Sequence, residues 1–403
     1  MSNDTIASVA FFFKTVFDTG LYDESIRIHP TLDQITKVAD FTGDSIVYSV
    51  KYGNAQNIAS TATGVSGIAK AKAVGSSQKG VKFTMYRVRK TGTISFDIEA
   101  LKAAKGRNDG SFENLLTEGV DGFTGEFLDR LGFDLHRDGY GTRGKRLSIN
   151  GNIISMTVPD DARNFKVGMQ LGAAQNADGT SPRTGTSPVT AVDVDAGTVT
   201  VEDAGDIASF ANNDYLFAAP EMDNNLQGFG ICTPLAAPGG SDSFRGVNRS
   251  VYASLLAGSR LNDTNASVEE NAGRIAVKIQ NNGGRCDTLT LNPQRAWELM
   301  RRINSKVMMQ PGGTAKYGFE TAMISTPAGN LKLVSDPDAP MTVGRVHLGA
   351  SHKIRSLDEF VHLGNEDGNF ELRLEGDDAL ESRVRSLSQY QQTMPRDFGV
   401  FVI

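Results

Sequence analysis

Residues 111–136 read SFENLLTEGVDGFTGEFLDRLGFDLH, and this stretch organises the rest of the chain. Phe112, Leu115, Leu116, Val120, Phe123, Phe127 and Leu131 keep the spacing of one helix face for about seven turns of 3.6 residues. Ser111 is placed to cap the first turn, and Gly139 with Gly141 closes the far end. Gly119, Gly122 and Gly125 each weaken such a helix by up to about 1 kcal/mol. They mark either a bend or the close approach of another backbone.

Upstream of this helix the pattern is different. Strand-like runs at Ile46, Val47, Tyr48 and Val50, at Val81 to Val88, and at Ile94, Phe96 and Ile98 flank a passage, Ala55 to Gly80, that is mostly Ala, Gly, Ser and Thr with Lys70, Lys72 and Lys79. So little apolar bulk cannot bury itself, so the expectation is a long projecting hairpin with a small-residue tip. Before it, Phe11, Phe12, Phe13 and Phe17 crowd an N-terminal arm, followed by Pro30 and a short segment with Leu32, Ile35 and Val38. Four phenylalanines at a terminus imply packing on something, another copy of the chain included.

Downstream, Leu147 to Phe217 alternates Val and Thr around Asp/Gly turns such as Asp195-Ala196-Gly197, which predicts an all-β module of barrel or sandwich size. Helices then return. Ser267-Val268-Glu269-Glu270 is a capping box, with Val268, Ala272, Ile275, Ala276 and Ile279 on one face and Gly283-Gly284 as the stop. The strand Thr288 to Leu291 precedes Asn292-Pro293, which opens a helix through Trp297, Met300 and Ile303. Strands are expected at Leu331 to Val334, Val343 to Leu348, Phe370 to Leu374 and Val400 to Ile403, so the fold class is α+β.

The chain has 403 residues, 41 Lys and Arg against 47 Asp and Glu, and a net charge of −6, which does not suit a nucleic-acid wrapper. It holds 43 Gly but only 5 His, 2 Cys and 1 Trp, few of the side chains that usually do chemistry. Cys232 and Cys286 make no disulfide framework and read as small buried hydrophobes in a reducing compartment. Neither a signal peptide nor a membrane span is expected.

No catalytic, cofactor-binding or metal residue is assigned. His29, His136, His347, His352 and His362 show no ligand spacing, and His347 with His352 reads as a structural pair. Gly139-Tyr140-Gly141-Thr142-Arg143-Gly144 fits the GxGxxG letters but follows a helix, where its amides would not face a pyrophosphate. Gly364 to Asn369 reads as a polar turn in place of a calcium loop, and Asp160-Asp161, Glu269-Glu270 and Asp377-Asp378 read as solvated carboxylates or helix-start charges.

The order of these elements resembles the major capsid proteins of tailed bacteriophages, the Hong Kong 97-type fold. The helix Ser111 to His136 stands where that family has its spine helix, after an extended loop tipped at Ala55 to Gly80. Thr288 to Leu291 followed by Asn292-Pro293-Gln294-Arg295-Ala296-Trp297 looks like the strand-to-helix step of the axial domain. Leu331 to Asp336, Pro340 and Val343 to Leu348 resemble the return to the peripheral domain, and Tyr390 to Ile403 the final strand. The resemblance implies an N-terminal arm (1–44), an extended loop with flanking strands (45–110), a spine helix of the peripheral domain (111–146), an inserted β domain (147–218), an axial domain (219–350) and a C-terminal return to the peripheral domain (351–403).

As function it implies a non-enzymatic, cofactor-free subunit that self-assembles as hexamers and pentamers into an icosahedral head around double-stranded DNA. The shell is put together in the cytoplasm of the bacterial host and ends as part of the virion. Implied partners are further copies, a portal protein and DNA bound without sequence preference; a scaffolding and a decoration protein stay open, and no membrane is involved. Some family members crosslink a loop lysine to a neighbour's asparagine, roles for which Lys70, Lys72 or Lys79 and Asn365 or Asn369 are candidates, although ordinary surface residues fit them better. Two alternatives remain: an encapsulin-like compartment shell, and a tail-associated carbohydrate-binding protein or hydrolase.

Overall fold

The structure, a computed structural model, describes residues 29–63, 66–97, 115–304, 323–364, 372–373 and 379–403. The arm phenylalanines, Ser111, Phe112, Asn365, Asn369 and Asp377-Asp378 lie outside the described residues. The chain divides into two units. One comprises Met1–Arg27, Thr91–Arg130 and Val361–Arg385; the other comprises Ile28–Lys90, Leu131–Phe360 and Ser386–Ile403.

The second unit begins with a helical turn, α1 (Pro30–Gln34), and strand β1 (Thr36–Ala39). The antiparallel hairpin β2 (Ser45–Gly53) and β3 (Lys79–Tyr86) follows, with a short helix, α2 (Ile68–Ala73), at its far end. Strand β4 (Val88–Asp97) and the long helix α3 (Leu115–His136) both run from one unit into the other.

Six strands then close a barrel in the order β10-β5-β6-β9-β8-β7: β5 (Thr142–Asn150), β6 (Ile153–Met156), β7 (Gln170–Ala174), β8 (Ser187–Asp193), β9 (Thr198–Val201) and β10 (Tyr215–Ala218). Its core holds Ile154, Met156, Phe165, Leu171, Val189, Val199 and Leu216. The β8–β9 turn is the Asp/Gly turn expected: Asp193 accepts from the Ala196 amide at 2.9 Å, and Gly197 takes φ +66°, open to glycine at no steric cost. The barrel starts at Thr142, five residues before the alternating pattern does. Arg143 and Arg146 occupy buried positions of β5, and charged letters there conceal the strand.

A mixed sheet forms the next layer, in the order β11-β20-β15-β12-β14-β13: β11 (Ser259–Leu261), β12 (Thr288–Leu291), β13 (Met323–Thr326), β14 (Gly329–Ser335), β15 (Val343–His347) and β20 (Gly399–Val402). Two amphipathic helices share its core, α4 (Val268–Asn281) and α5 (Pro293–Asn304). Ser267 Oγ accepts from the Glu270 amide at 3.3 Å, a cap that stabilises a helix by about 1 kcal/mol. Ile275 and Ile279 press on the sheet at Gly399, where a Cβ would come within 2.6 Å of Ile275. Asn292 caps α5 through the Gln294 amide at 3.0 Å. Trp297 is not on the buried face of α5: it is 59% exposed, while Ala296 and Leu299 are buried, because the i, i+3 stripe that meets the sheet starts one residue earlier.

Strand β16 (His352–Ser356) pairs in parallel with β1 and antiparallel with the second half of β19 (Ala379–Gln392). In the first unit, β17 (His362–Leu363) and β18 (Leu372–Arg373) pair with the first half of β19, and Val384 is fully buried. There β4 meets α3 at Gly92, whose absent side chain leaves room for the Phe123 ring; a Cβ would stand 2.6 Å from it.

Candidate assembly interface

The hairpin shows two faces because its side chains alternate. Val81, Phe83 and Met85 on β3 and Tyr48, Val50 and Tyr52 on β2 point inward, with Tyr48 stacked on Phe83 at 5.2 Å between ring centres. Val47, Lys51, Lys82 and Tyr86 point outward and are exposed. Beyond the strands, Ile58 is 78% exposed and Ile68 and Val74 are also uncovered; α2 has no buried residue at all. This is apolar surface left to water by its own chain.

Arg245 anchors the hairpin's base. Its guanidinium donates to the Tyr48 hydroxyl at 3.2 Å, Gln227 Oε1 at 3.0 Å and the Tyr390 carbonyl at 2.7 Å, while its own carbonyl accepts from the Thr84 amide at 3.0 Å. The residue sits at φ 51°, a strained conformation for a long side chain, which these four bonds hold in place. Burial raises the Tyr48 hydroxyl above its ordinary range, although Arg245 pulls the other way, so it stays protonated. Beside it lies a cavity of about 540 Å³ whose wall includes Tyr86, Asp138, Tyr140, Gln227 and Arg245.

A buried charge network lies at the C-terminal end of α3. Lys90 Nζ donates to Asp134 at 2.6 Å and stands 3.3 Å from Glu221, which pairs with Arg143 at 2.7 Å. Arg137 and Arg143 both lie on the Phe133 ring, at 4.6 and 4.7 Å. One turn away, the loop after β14 gathers the chain. Asp336 accepts from the Thr31 amide at 3.1 Å and stands 3.2 Å from His136 Nε2; Asp338 lies 2.6 Å from His29 Nδ1. Burial would raise the Asp336 carboxyl, but His136, Thr31 and the Asp338 amide outweigh it and hold it well below the usual carboxylate range. Gly132 lets His29 in, since a Cβ there would overlap the imidazole. At Gly132, a glycine of the long helix outside the three singled out in the sequence, the close neighbours are side chains, the His29 imidazole and the Asp338 carboxylate.

The remaining candidates have structural settings. His347 and His352 face each other at 4.9 Å around Phe229, and His347 Nε2 lies 3.1 Å from Thr290 Oγ1. Burial lowers both, His352 to about 4 and His347 further, so at neutral pH both are uncharged rings in an aromatic core. Among the described residues no group of three or more His, Cys, Asp or Glu is placed to hold a metal ion. Cys232 is buried and its thiol pushed up by burial; Cys286 is half-buried and pushed up to about 11 by burial and then by Asp287 and Asp397, so neither is a ready thiolate. Gly139 and Gly141 take positive φ and lead into β5, not into a helix; a Cβ on Gly141 would stand 2.5 Å from the Glu221 carbonyl. The glycines serve chain packing, with no phosphate cradle. Lys70, Lys72 and Lys79 are exposed on the hairpin. No described helix is long and apolar enough to cross a membrane.

Neither a protein-family model nor a curated protein matches the sequence. Solved structures do match. The capsid of cyanophage A-1(L) is 8% identical with a TM-score of 0.56, covering 96% of each chain. The capsid of a native GTA particle is 9% identical with a TM-score of 0.51, covering 100% of this chain and 99% of that one. The encapsulin complex of Synechococcus elongatus is 7% identical with a TM-score of 0.48, covering 100% and 96%. At these identities the likeness is one of fold, and it runs from end to end: the chain has the α+β, Hong Kong 97-type fold of tailed-phage capsid subunits.

Proposed function

We propose that the chain is the major capsid protein of a tailed bacteriophage, a structural subunit whose copies build the icosahedral head around double-stranded DNA. The observation that carries this reading is the match to a phage capsid along 96% of both chains, which leaves almost no part of the molecule over for a second purpose. The hairpin supports it: Ile58, Ile68 and Val74 are 78%, 64% and 50% exposed, as expected of a loop that orders against a neighbour.

In this reading 45–110 is the extended loop, 111–146 the spine helix, 147–218 the inserted domain, 219–350 the axial domain and 351–403 the return to the peripheral domain, with the arm at 1–44. The subunit works by contact alone, without catalysis or cofactor, as hexamers and pentamers joined by a portal protein and, in some systems, by scaffolding and decoration proteins. Its mild acidity lets packaged DNA slide past the wall. The shell forms in the host cytoplasm and becomes the virion capsid. Sedimentation and negative-stain microscopy of the expressed protein test this: phage-sized shells support it, small uniform shells favour a compartment of the encapsulin kind, and a stable monomer at high concentration contradicts both.

A further inference from the structure

The total of −6 conceals an uneven distribution of charge. Residues 45–90 hold eight Lys and Arg and no Asp or Glu, whereas residues 184–244 hold nine Asp and Glu and no Lys, Arg or His. The first stretch is the hairpin. On it Lys51, Lys70, Lys72, Lys79 and Lys82 are all exposed. The second includes the β8–β9 ribbon of the barrel, where Asp193 and Asp195 stand at one end of β9 and Glu202, Asp203 and Asp206 at the other, all exposed. β9 spans about 13 Å at roughly 3.3 Å per residue, so these acids line one short ribbon. None of the ten side chains forms an ion pair among the described residues.

Two unlike surfaces of opposite sign on one chain are what a head-to-tail contact requires, and such a contact closes into a ring when the rotation between copies allows it. A polyanion such as DNA would also attract the lysines. It would not explain the acidic ribbon, and it offers no apolar cover to Ile58, Ile68 and Val74, which are set among the lysines. We infer that the cationic hairpin of one copy docks on the acidic β8–β9 ribbon of a second copy's barrel, the tip's aliphatic side chains entering the same contact. The ring rests on the capsid reading, but the pairing belongs to the two surfaces and is testable without it.

The test uses two full-length variants. In the first, Lys51→Glu, Lys70→Glu, Lys72→Glu, Lys79→Glu and Lys82→Glu reverse the hairpin; in the second, Asp193→Lys, Asp195→Lys, Glu202→Lys, Asp203→Lys and Asp206→Lys reverse the barrel ribbon. All ten positions are exposed, so both chains should fold, and circular dichroism checks that. Each variant alone should lose particle yield by roughly tenfold or more in sedimentation, the factor carried by about 1.4 kcal/mol. Mixed in equal amounts they should associate again, because the reversed hairpin of the first then meets the reversed ribbon of the second, and the unreversed hairpin of the second meets the unreversed ribbon of the first. The association should dissolve near 1 M salt, where the screening length is about 3 Å. Assembly of either variant alone at the wild-type yield, or no association of the mixture, overturns the pairing. A hairpin-reversed chain that assembles normally but loses affinity for a short DNA duplex overturns it in favour of nucleic acid. Association of the mixed variants where the wild type forms no shell leaves the pairing standing and removes the capsid reading.

Discussion

The barrel at 142–218 closes six strands around Ile154, Leu171, Val199 and Leu216, so its ladder has no free edge and its apolar side chains are largely its own. The β2–β3 hairpin has two strands and one covered face, and it carries Ile58, Ile68 and Val74 bare at its end. Both are β-rich and both leave aliphatic side chains exposed, Leu147, Ile153, Val167 and Val194 on the barrel and Ile58, Ile68 and Val74 on the hairpin, but only the barrel closes a core of its own. In the proposed reading that difference separates what the molecule needs in order to fold from what it needs in order to work: the barrel contributes to the stability of the subunit, and the hairpin to that of the assembly.

The strongest way to break that contrast is to replace residues 55–80 with a short Gly/Ser turn. The account expects particle assembly to be lost while the monomer's melting temperature stays within a few degrees, since the removed residues bury almost nothing. A melting temperature that collapses with the tip would place the hairpin on the folding side instead. Leu216→Ala probes the other half. Removing that fully buried side chain should cost about 2–5 kcal/mol in denaturant unfolding, a loss that arises inside the monomer and is read there.

Acid offers a third comparison. His352 is lowered to about 4 in the folded chain, mainly by burial, against an ordinary value near 6.5. Between those two values the unfolded chain binds the extra proton, so stability should fall as pH drops from about 6.5 to about 4, by roughly 3 kcal/mol from this residue, and change little from it below that. His352→Gln should flatten the slope in a pH series of urea melts; an unaltered slope would show that the ring is not held neutral. The smallest effect is expected at the joint of hairpin and core. Arg245→Ala deletes three side-chain donors and should cost about 1.5–3 kcal/mol, with faster amide exchange in β2 and β3 than in the barrel strands.

The sequence was most readable where local chemistry and packing agree. The Ser267 box, the Asn292-Pro293 start and the Asp195-Gly197 turn each form in place, because a cap or a turn is settled within four residues. The 3.6 periodicity of α3 was equally plain. What stayed hidden is whatever the rest of the fold supplies. β19, the longest described strand, reads ALESRVRSLSQYQQ, with little alternation to betray it. Its Ser and Gln side chains are buried because distant partners satisfy them: Gln389 Oε1 accepts from the Gln227 amide and Gln392 Nε2 donates to Thr233. The clasp of Asp336 and Asp338 on Thr31 and His29 joins positions about three hundred residues apart, a separation that carries no local signal. The candidate assembly surface was legible as composition, in the small-residue tip, but its outward aliphatic and charged side chains became visible only once the strands had a register.

The central claim is that the hairpin is finished by another copy of the chain. Hydrogen exchange of residues 55–80, measured on the isolated subunit and on sedimented particles from the same preparation, tests it most directly. The account predicts fast exchange in the subunit and protection by at least about tenfold in the particle, confined to the tip and the surface it meets. Equal, fast exchange in both states, with intact particles present, would contradict it.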